Sequence, residues 1–323
     1  MQKKDLIIFN WLVVMFFICS WHQSTAVNSR PIIGILSVDS YNKTKKECNN
    51  TNAFSELVAS YVKFIEMAGA RVVPILLNKT DDYYKNLFQS INGILFPGGG
   101  LYLNESYYAK AARTLYDFAV KANDNNTYFP IWGTCLGFEM LAQLIANDTT
   151  ILSSCSAMNF PIPLNLTSGF SRSRLFGNVH SDLLSMMTTK SLTYNNHKMC
   201  LSPTKVNSTT LKSKINILSI NEDKNRTHFV SDYEAFRYPF YGVQWHPEKN
   251  PFEWDTSLDI PHSHDAVRIS QYFANFFVSE AKKNNQKFKE IADERNSLIA
   301  HFHESFCYLE NGSEVYVFSN TTL

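Results

Sequence analysis

The sequence lacks an excess of charge of either sign, because 30 Lys and Arg stand against 29 Asp and Glu. This balance excludes a basic nucleic-acid surface, and a hydrophobic share of 45% excludes a disordered chain. Internal repeats and low-complexity tracts are also missing. A globular protein remains, and 323 residues allow one large domain or two medium ones.

After the N-terminal segment, no stretch of the sequence approaches the eighteen apolar residues that a membrane span needs. Residues 1–26 begin with Lys3 and Lys4, continue through a fourteen-residue apolar run, and end in small residues. Such a run is short for a bilayer span and typical of a secretory signal. We therefore expect residues 1–26 to be removed, with no stable membrane anchor afterwards. The alternative is an uncleaved N-terminal anchor.

Cysteine spacing and glycosylation triplets agree with export. Eleven Asn-x-Ser/Thr triplets are typical of a glycosylated lumenal protein and predict surface loops. Without the signal five cysteines remain, and an odd number in an oxidising compartment predicts one free thiol. No C-x-x-C pair occurs, so no structural zinc site is expected. If Cys135 is the free thiol, three pairings stay open for the others, which are Cys48, Cys155, Cys200 and Cys307.

Short β-branched runs alternate with longer amphipathic ones through the first half of the chain. Strands are predicted at residues 32–38, 71–76, 93–96 and 129–133. Helices are predicted at residues 55–68 (closed by Gly69), 81–89, 106–123 and 136–146. This alternation predicts a parallel sheet with helices on both faces.

Further strands are predicted at residues 215–220, 228–232 and 240–244, before a long amphipathic helix at 265–283. Asp265 is expected to cap this helix. Since nothing between the two halves resembles a linker, we expect one α/β domain at 27–284, doubly wound around a mostly parallel sheet. Residues 285–323 form a C-terminal extension, either packed on this domain or reaching toward a partner.

A cysteine stands between two glycines where a predicted strand ends and a helix begins, in Gly133-Thr134-Cys135-Leu136-Gly137. A nucleophile at such a turn needs small neighbours, because the backbone is crowded and the side chain must project into a cleft. The helix N-terminus is expected to lower the pKa of the thiol. Cys135 is therefore the candidate for covalent catalysis, against the common alternative of a buried structural cysteine.

Two further segments fit the same chemistry. His246 and Glu248 follow a predicted strand and point the same way, so the carboxylate can fix the tautomer of the imidazole. Alone, such a pair is more often a surface pair. The glycine-rich turn at 97–100 lets the main chain approach a reacting carbonyl, so the N–H groups of Gly99 and Leu136 are expected to form an oxyanion hole. Neither a P-loop nor a G-x-G-x-x-G pattern follows it.

The order and spacing of the glycine-rich turn, the G-T-C-L-G elbow and the W-H-P-E segment resemble the class I glutamine amidotransferase-like superfamily. From about residue 30 to 284 the chain resembles its secreted branch, the γ-glutamyl hydrolases. This resemblance implies a flavodoxin-like fold and a lysosomal, vacuolar or secreted cysteine peptidase. Such an enzyme trims the γ-linked polyglutamate tail of folates without metal or other cofactor, often as a homodimer.

The resemblance also implies two substrate contacts. Glu139 stands where amidotransferases usually carry Gln, and His197 matches a histidine that the hydrolases place near the active site. Both are expected to bind substrate, against the alternatives of a locally paired helix residue and a solvated loop histidine. The other histidine clusters lack the i,i+4 spacing of a helical zinc pair, so no metal site is expected. Basic candidates for the polyanionic tail are Lys198, Arg172, Arg174 and Lys249.

The sequence thus predicts hydrolysis of folylpoly-γ-glutamates through a thioester on Cys135, with His246 as acid and base. A glutaminase-type amidotransferase subunit is the second enzyme hypothesis, although no synthase domain is fused here. A glycosylated binding protein that kept the fold without the chemistry is the third. Whether cleavage is terminal or internal depends on pocket depth, which the sequence leaves open.

Overall fold

The computed structural model describes residues 27–101 and 103–321. The predicted secretory signal lies outside these residues. None of the helices that the structure describes is both long enough and apolar enough to cross a membrane.

The described residues form strands and helices in the expected alternation. Their thirteen strands, β1 to β13, are Ile32–Leu36, Val38–Asp39, Ala53–Val58, Arg71–Ile75, Gly93–Phe96, Ile131–Thr134, Leu152–Ile162, Thr193–Leu201, Ile215–Glu222, His228–Ala235, Phe240–Val243, Phe306–Tyr308 and Glu314–Ser319. Their ten α-helices, α1 to α10, are Asn42–Glu47, Ala59–Glu66, Asp81–Phe88, Tyr107–Asp124, Leu136–Ala146, Ser181–Thr189, Pro203–Ser208, Lys249–Phe252, His264–Ala281 and Ile291–Ser297.

The central sheet has seven strands in the order β4-β1-β5-β6-β11-β10-β9. The first five are parallel, whereas β10 and β9 add to the edge in antiparallel fashion. Alternate residues of β1 face opposite sides, with Ile32 and Leu36 in the apolar cluster shared with α3, α4 and α5. Ile33 and Ile35 belong to the other cluster, with α2 and α9. The doubly wound α/β prediction is confirmed.

The predicted helix at 55–68 is wrong in its first part. Ala53–Val58 is a strand, and the chain turns helical only at Ala59. This strand pairs with β2 on one side and with β13 on the other, so long-range pairing outweighs the local helical pattern. Gly69 follows the helix with φ +84°, a conformation that glycine adopts without strain.

Residues 285–323 supply two of the four strands in a second sheet, ordered β12-β13-β3-β2. Arg71 and Glu294 form an ion pair, and a disulfide joins Cys48 to Cys307. The C-terminal segment therefore contacts the same body that carries the central sheet.

A long pair of antiparallel strands, β7 and β8, lies outside both sheets and was not predicted. The second disulfide, Cys155–Cys200, links these two strands. Cys135 is the free cysteine among the described residues, so the prediction of one free thiol is confirmed.

The cap of the long C-terminal helix differs from the prediction. The hydroxyl of Ser263 accepts the N–H of Ala266, so Ser263 and not Asp265 caps helix α9. Asp265 lies in the first turn and forms an ion pair with Lys190.

Candidate active site

Cys135 forms a sharp elbow between β6 and α5, with φ 52° and ψ −108°. Both neighbouring glycines are required by the packing. A Cβ on Gly137 would lie 1.9 Å from the carbonyl oxygen of Phe96, and one on Gly133 would lie 2.5 Å from that of Gly137. The Cys135 N–H donates to the carbonyl of Val243 at 2.9 Å, which joins the elbow to the neighbouring strand.

Cys135 is 4% exposed, and burial raises the pKa of its thiol well above the ordinary value. The carboxyls of Glu139 and Glu248 raise it further, whereas a hydrogen bond from the Leu136 N–H lowers it. The helix terminus thus acts in the predicted direction, but burial outweighs it, so the net pKa is raised. The resting group is a thiol, and attack on a carbonyl requires a base that removes its proton.

His246 and Glu248 lie just beyond the end of β11, and both are buried. The Nδ1 atom of His246 lies 2.6 Å from a carboxylate oxygen of Glu248, which leaves Nε2 for proton exchange. The other oxygen of Glu248 has no hydrogen-bond partner among the described residues. The carboxylate therefore orients the imidazole through Nδ1.

Gly98 lies between the candidate nucleophile and the candidate base. A Cβ built on this glycine would lie 2.9 Å from Cε1 of His246 and 3.3 Å from Cβ of Cys135. The two side chains thus approach the same point from different strands, as parallel strands that end at one edge of a sheet allow.

The predicted oxyanion-hole residues are also neighbours. A Cβ on Gly99 would lie 3.1 Å from the side chain of Leu136, so the glycine-rich turn after β5 contacts the first residue of α5. The Leu136 N–H points toward the sulfur of Cys135. The structure therefore places Gly99 against Leu136, the residue that follows the candidate nucleophile, and the oxyanion hole itself stays a prediction.

Glu139 lies in the first turn of α5 and is 5% exposed. One of its oxygens accepts the side-chain N–H of Gln244 at 3.0 Å. Burial raises the pKa of this carboxyl to about 8, and the hydrogen bond from Gln244 opposes that rise. Its substrate contact stays a prediction.

His197 lies on β8 and is buried against the second disulfide. Its Nδ1 atom is 3.5 Å from the sulfurs of both Cys155 and Cys200, and Nε2 is 3.1 Å from the side-chain oxygen of Asn195. Burial, with a smaller contribution from the nearby His246, lowers its pKa to about 3. The imidazole is therefore neutral. The two sulfurs beside it, those of Cys155 and Cys200, are bonded to each other in the disulfide. Its substrate contact also stays a prediction.

The four basic candidates now fall into two groups. Lys249 forms an ion pair with Glu253, and Arg174 bonds to Glu234 and to the carbonyl of Ala235, so both cations already have partners. Arg172 and Lys198 are exposed, and Lys198 directly follows His197.

Stability should fall as the pH rises from 6.5 to 8.5. Burial raises the pKa of Glu139 to about 8 and that of Asp232 to about 7, so the folded state holds protons that the unfolded chain has released. The free energy of unfolding should decrease by about 2–3 kcal/mol in this window. His197 acts in the opposite sense only below its unfolded pKa of about 6.5. Urea unfolding at each pH measures the slope.

Glu139→Gln keeps an acceptor for Gln244 but does not titrate, so it should remove most of this slope. Glu105→Gln, which removes an exposed carboxylate, is the matched control and should preserve it. A slope unchanged in Glu139→Gln would contradict the assignment.

The sequence is similar to known proteins over the segment that contains these site residues. The sequence model of the Peptidase C26 family matches residues 31–248. Gamma-glutamyl hydrolase of Rattus norvegicus is 45% identical over 276 residues, 85% of each chain. The Homo sapiens protein of that name is 44% identical over 285 residues, 87% of this chain and 86% of the relative.

One more distant relative and one solved structure extend the comparison. Gamma-glutamyl hydrolase B of Dictyostelium discoideum is 35% identical over 98% of this chain and 90% of its own. Among solved structures, a putative GMP synthase subunit of Thermoplasma acidophilum is 14% identical, with TM-score 0.43, over 78% of this chain and 94% of its own.

Proposed function

The chain belongs to the Peptidase C26 family of γ-glutamyl hydrolases, and from this membership we propose that it cleaves folylpoly-γ-glutamates and antifolate polyglutamates through a thioester on Cys135. Hydrolysis of γ-glutamyl bonds by a cysteine enzyme is the activity that its relatives indicate. The main support for the proposed mechanism is the convergence of Cys135 and the His246–Glu248 pair around Gly98. No cofactor enters the proposal.

In the proposed first step, Nε2 of His246 takes the proton of Cys135 and the sulfur attacks the γ-carbonyl carbon. The carbonyl oxygen becomes an oxyanion, which accepts hydrogen bonds from the N–H groups of Gly99 and Leu136. The C–N bond then breaks, and the imidazolium gives its proton to the departing α-amine. A thioester remains on Cys135.

Water completes the reaction. His246 takes a proton from water, which attacks the thioester carbon, and the C–S bond breaks as the proton returns to sulfur. Glu248 keeps Nδ1 protonated throughout and stabilises the imidazolium. Glu139 and His197 are proposed to contact the glutamyl residue, and the exposed Lys198 and Arg172 its polyanionic tail.

Product analysis by mass spectrometry tests this function. A pentaglutamylated folate incubated at pH 4.5 to 7 should lose glutamate or short γ-glutamyl peptides, and the product lengths also distinguish terminal from internal cleavage. Free glutamine is assayed beside it for ammonia release. Faster turnover of glutamine than of the folate would favour the glutaminase hypothesis, and no turnover of either would favour a binding protein.

We further propose that the protein enters the secretory pathway and acts in a lysosome, a vacuole or the extracellular space. Two disulfides support an oxidising compartment. Ten of the eleven triplet asparagines are exposed, and Asn311 is half-buried, which supports a glycoprotein. A homodimer is also proposed. A mass decrease after treatment with an N-glycosidase, and sedimentation of the native protein, test these two proposals.

A further inference from the structure

The glycine-rich turn is held from two sides by phenol groups. The Gly98 N–H donates to the hydroxyl of Tyr61 at 2.8 Å, and the Gly100 N–H donates to the hydroxyl of Tyr41 at 2.5 Å. Between them, the Gly99 N–H has no acceptor within the described part of the chain. Of the three glycine N–H groups in the turn, that of Gly99, the predicted oxyanion-hole residue, is therefore the one without an acceptor among the described residues.

The position of Tyr61 favours its hydrogen bond with the Gly98 N–H. It lies on α2, is 3% exposed, and its oxygen is 3.4 Å from Nδ1 of His246. Burial raises the pKa of this phenol well above its ordinary value, so the hydroxyl stays protonated and neutral. The same peptide is fixed at its other end, because the hydroxyl of Tyr108 donates to the carbonyl of Pro97 at 3.2 Å.

Tyr41 reaches the turn from a different element. Its backbone N–H donates to the carboxyl of Glu56, a buried residue on β3, at 3.0 Å. A Cβ on Gly99 would lie 3.1 Å from the hydroxyl of Tyr41 and 3.1 Å from the side chain of Leu136. Tyr41 and Leu136 thus enclose Gly99 at close contact.

Three consecutive glycines need such external support. Without side chains, their peptide groups can rotate into many conformations at little steric cost. Rotation of the peptide before Gly99 would turn its N–H away from the oxyanion, and a donor that must reorient during the reaction stabilises the transition state less. Hydrogen bonds to the peptides on either side restrict this rotation.

We propose that Tyr41 and Tyr61 are positioning residues that fix the Gly99 N–H as an oxyanion donor. This inference rests on the proposed cysteine hydrolysis. Both tyrosines lie outside the sequence motifs of the site, and their role is to preorganise the Gly99 N–H for the oxyanion. Each phenol acts through a glycine peptide and needs no contact with substrate.

Tyr41→Phe and Tyr61→Phe test the proposal, because each removes one hydroxyl and retains the ring. We expect kcat to fall about tenfold for each, with KM nearly unchanged, because oxyanion stabilisation acts only in the transition state. Tyr83→Phe is the matched control, since this phenol accepts a backbone N–H from Leu76 at 3.0 Å on another loop. The control should retain wild-type kcat.

A γ-glutamyl peptide aldehyde separates positioning from a structural role. Addition of the Cys135 thiol to the aldehyde forms a hemithioacetal whose oxygen occupies the proposed hole. Its inhibition constant should rise in proportion to the loss of kcat, whereas the rate of Cys135 alkylation by iodoacetamide should stay constant. If kcat or alkylation changes while aldehyde affinity does not, the proposal is wrong.

Two remaining outcomes are also decisive. An inactive wild-type enzyme would contradict the proposed function, whereas wild-type kcat in both variants would contradict this inference alone. If Tyr61→Phe does not fold, the same kcat and aldehyde measurements on Tyr41→Phe, at a half-buried position, decide the matter.

Discussion

Replacement of Cys135 by Ala should abolish hydrolysis of a pentaglutamylated folate and leave the fold intact. The other four cysteines of the described chain are paired in disulfides, so no second thiol is available to take over the reaction. We expect turnover to fall by at least about 10⁴-fold, as when the nucleophile of a catalytic triad is removed. Chromatography of the products measures the loss, and near-UV circular dichroism checks the fold.

The backbone at Cys135 supplies a control for this experiment. Because φ is 52° and ψ is −108°, any residue with a side chain is strained there, and only glycine relieves the strain. Cys135→Gly should therefore be inactive but more stable than Cys135→Ala, by about 1 kcal/mol. Urea unfolding compares the two. Hydrolysis above about 1% of wild type in either variant would refute the assignment of the nucleophile.

Gly137→Ala should prevent the protein from reaching its native state. The added Cβ would lie 1.9 Å from the carbonyl oxygen of Phe96 and 2.5 Å from its carbonyl carbon. Both atoms belong to the backbone of a central buried strand, so neither can move without shifting β5 or α5. We expect a loss above about 4 kcal/mol in the free energy of unfolding, seen as insoluble or denatured protein.

Gly100→Ala is the matched variant from the neighbouring turn. Its Cβ would meet only the hydroxyl of Tyr41 at 3.7 Å, an ordinary van der Waals contact. It should unfold within about 1 kcal/mol of wild type. A soluble Gly137→Ala with wild-type stability would show that the close approach of α5 to β5 is not required.

The sequence was most informative where the chemistry is local. Cys135 with its flanking glycines, and His246 two positions before Glu248, are recognisable because neighbours along the chain make the geometry. The bounds of β5 and α5 followed from apolar runs with glycine and polar flanks. Each of these predictions depends on fewer than fifteen consecutive residues.

What could not be predicted depends on contacts between distant segments. Tyr61 touches the glycine-rich turn across 37 positions, and no spacing rule connects them. Strand β3 forms because the C-terminal strand β13 pairs with it, which local propensity does not encode. The net pKa of the Cys135 thiol could not be predicted for the same reason, because burial by the whole fold exceeds the effect of one helix end.

The disulfide Cys48–Cys307 makes most of this polypeptide a covalent ring. Its two cysteines are 259 positions apart, and every proposed catalytic residue lies between them. A protease that cuts one exposed loop inside the ring opens it but releases no fragment. Such nicked protein would migrate as one species until a reductant separates the pieces, so survival in a protease-rich compartment would not require every loop to resist cleavage.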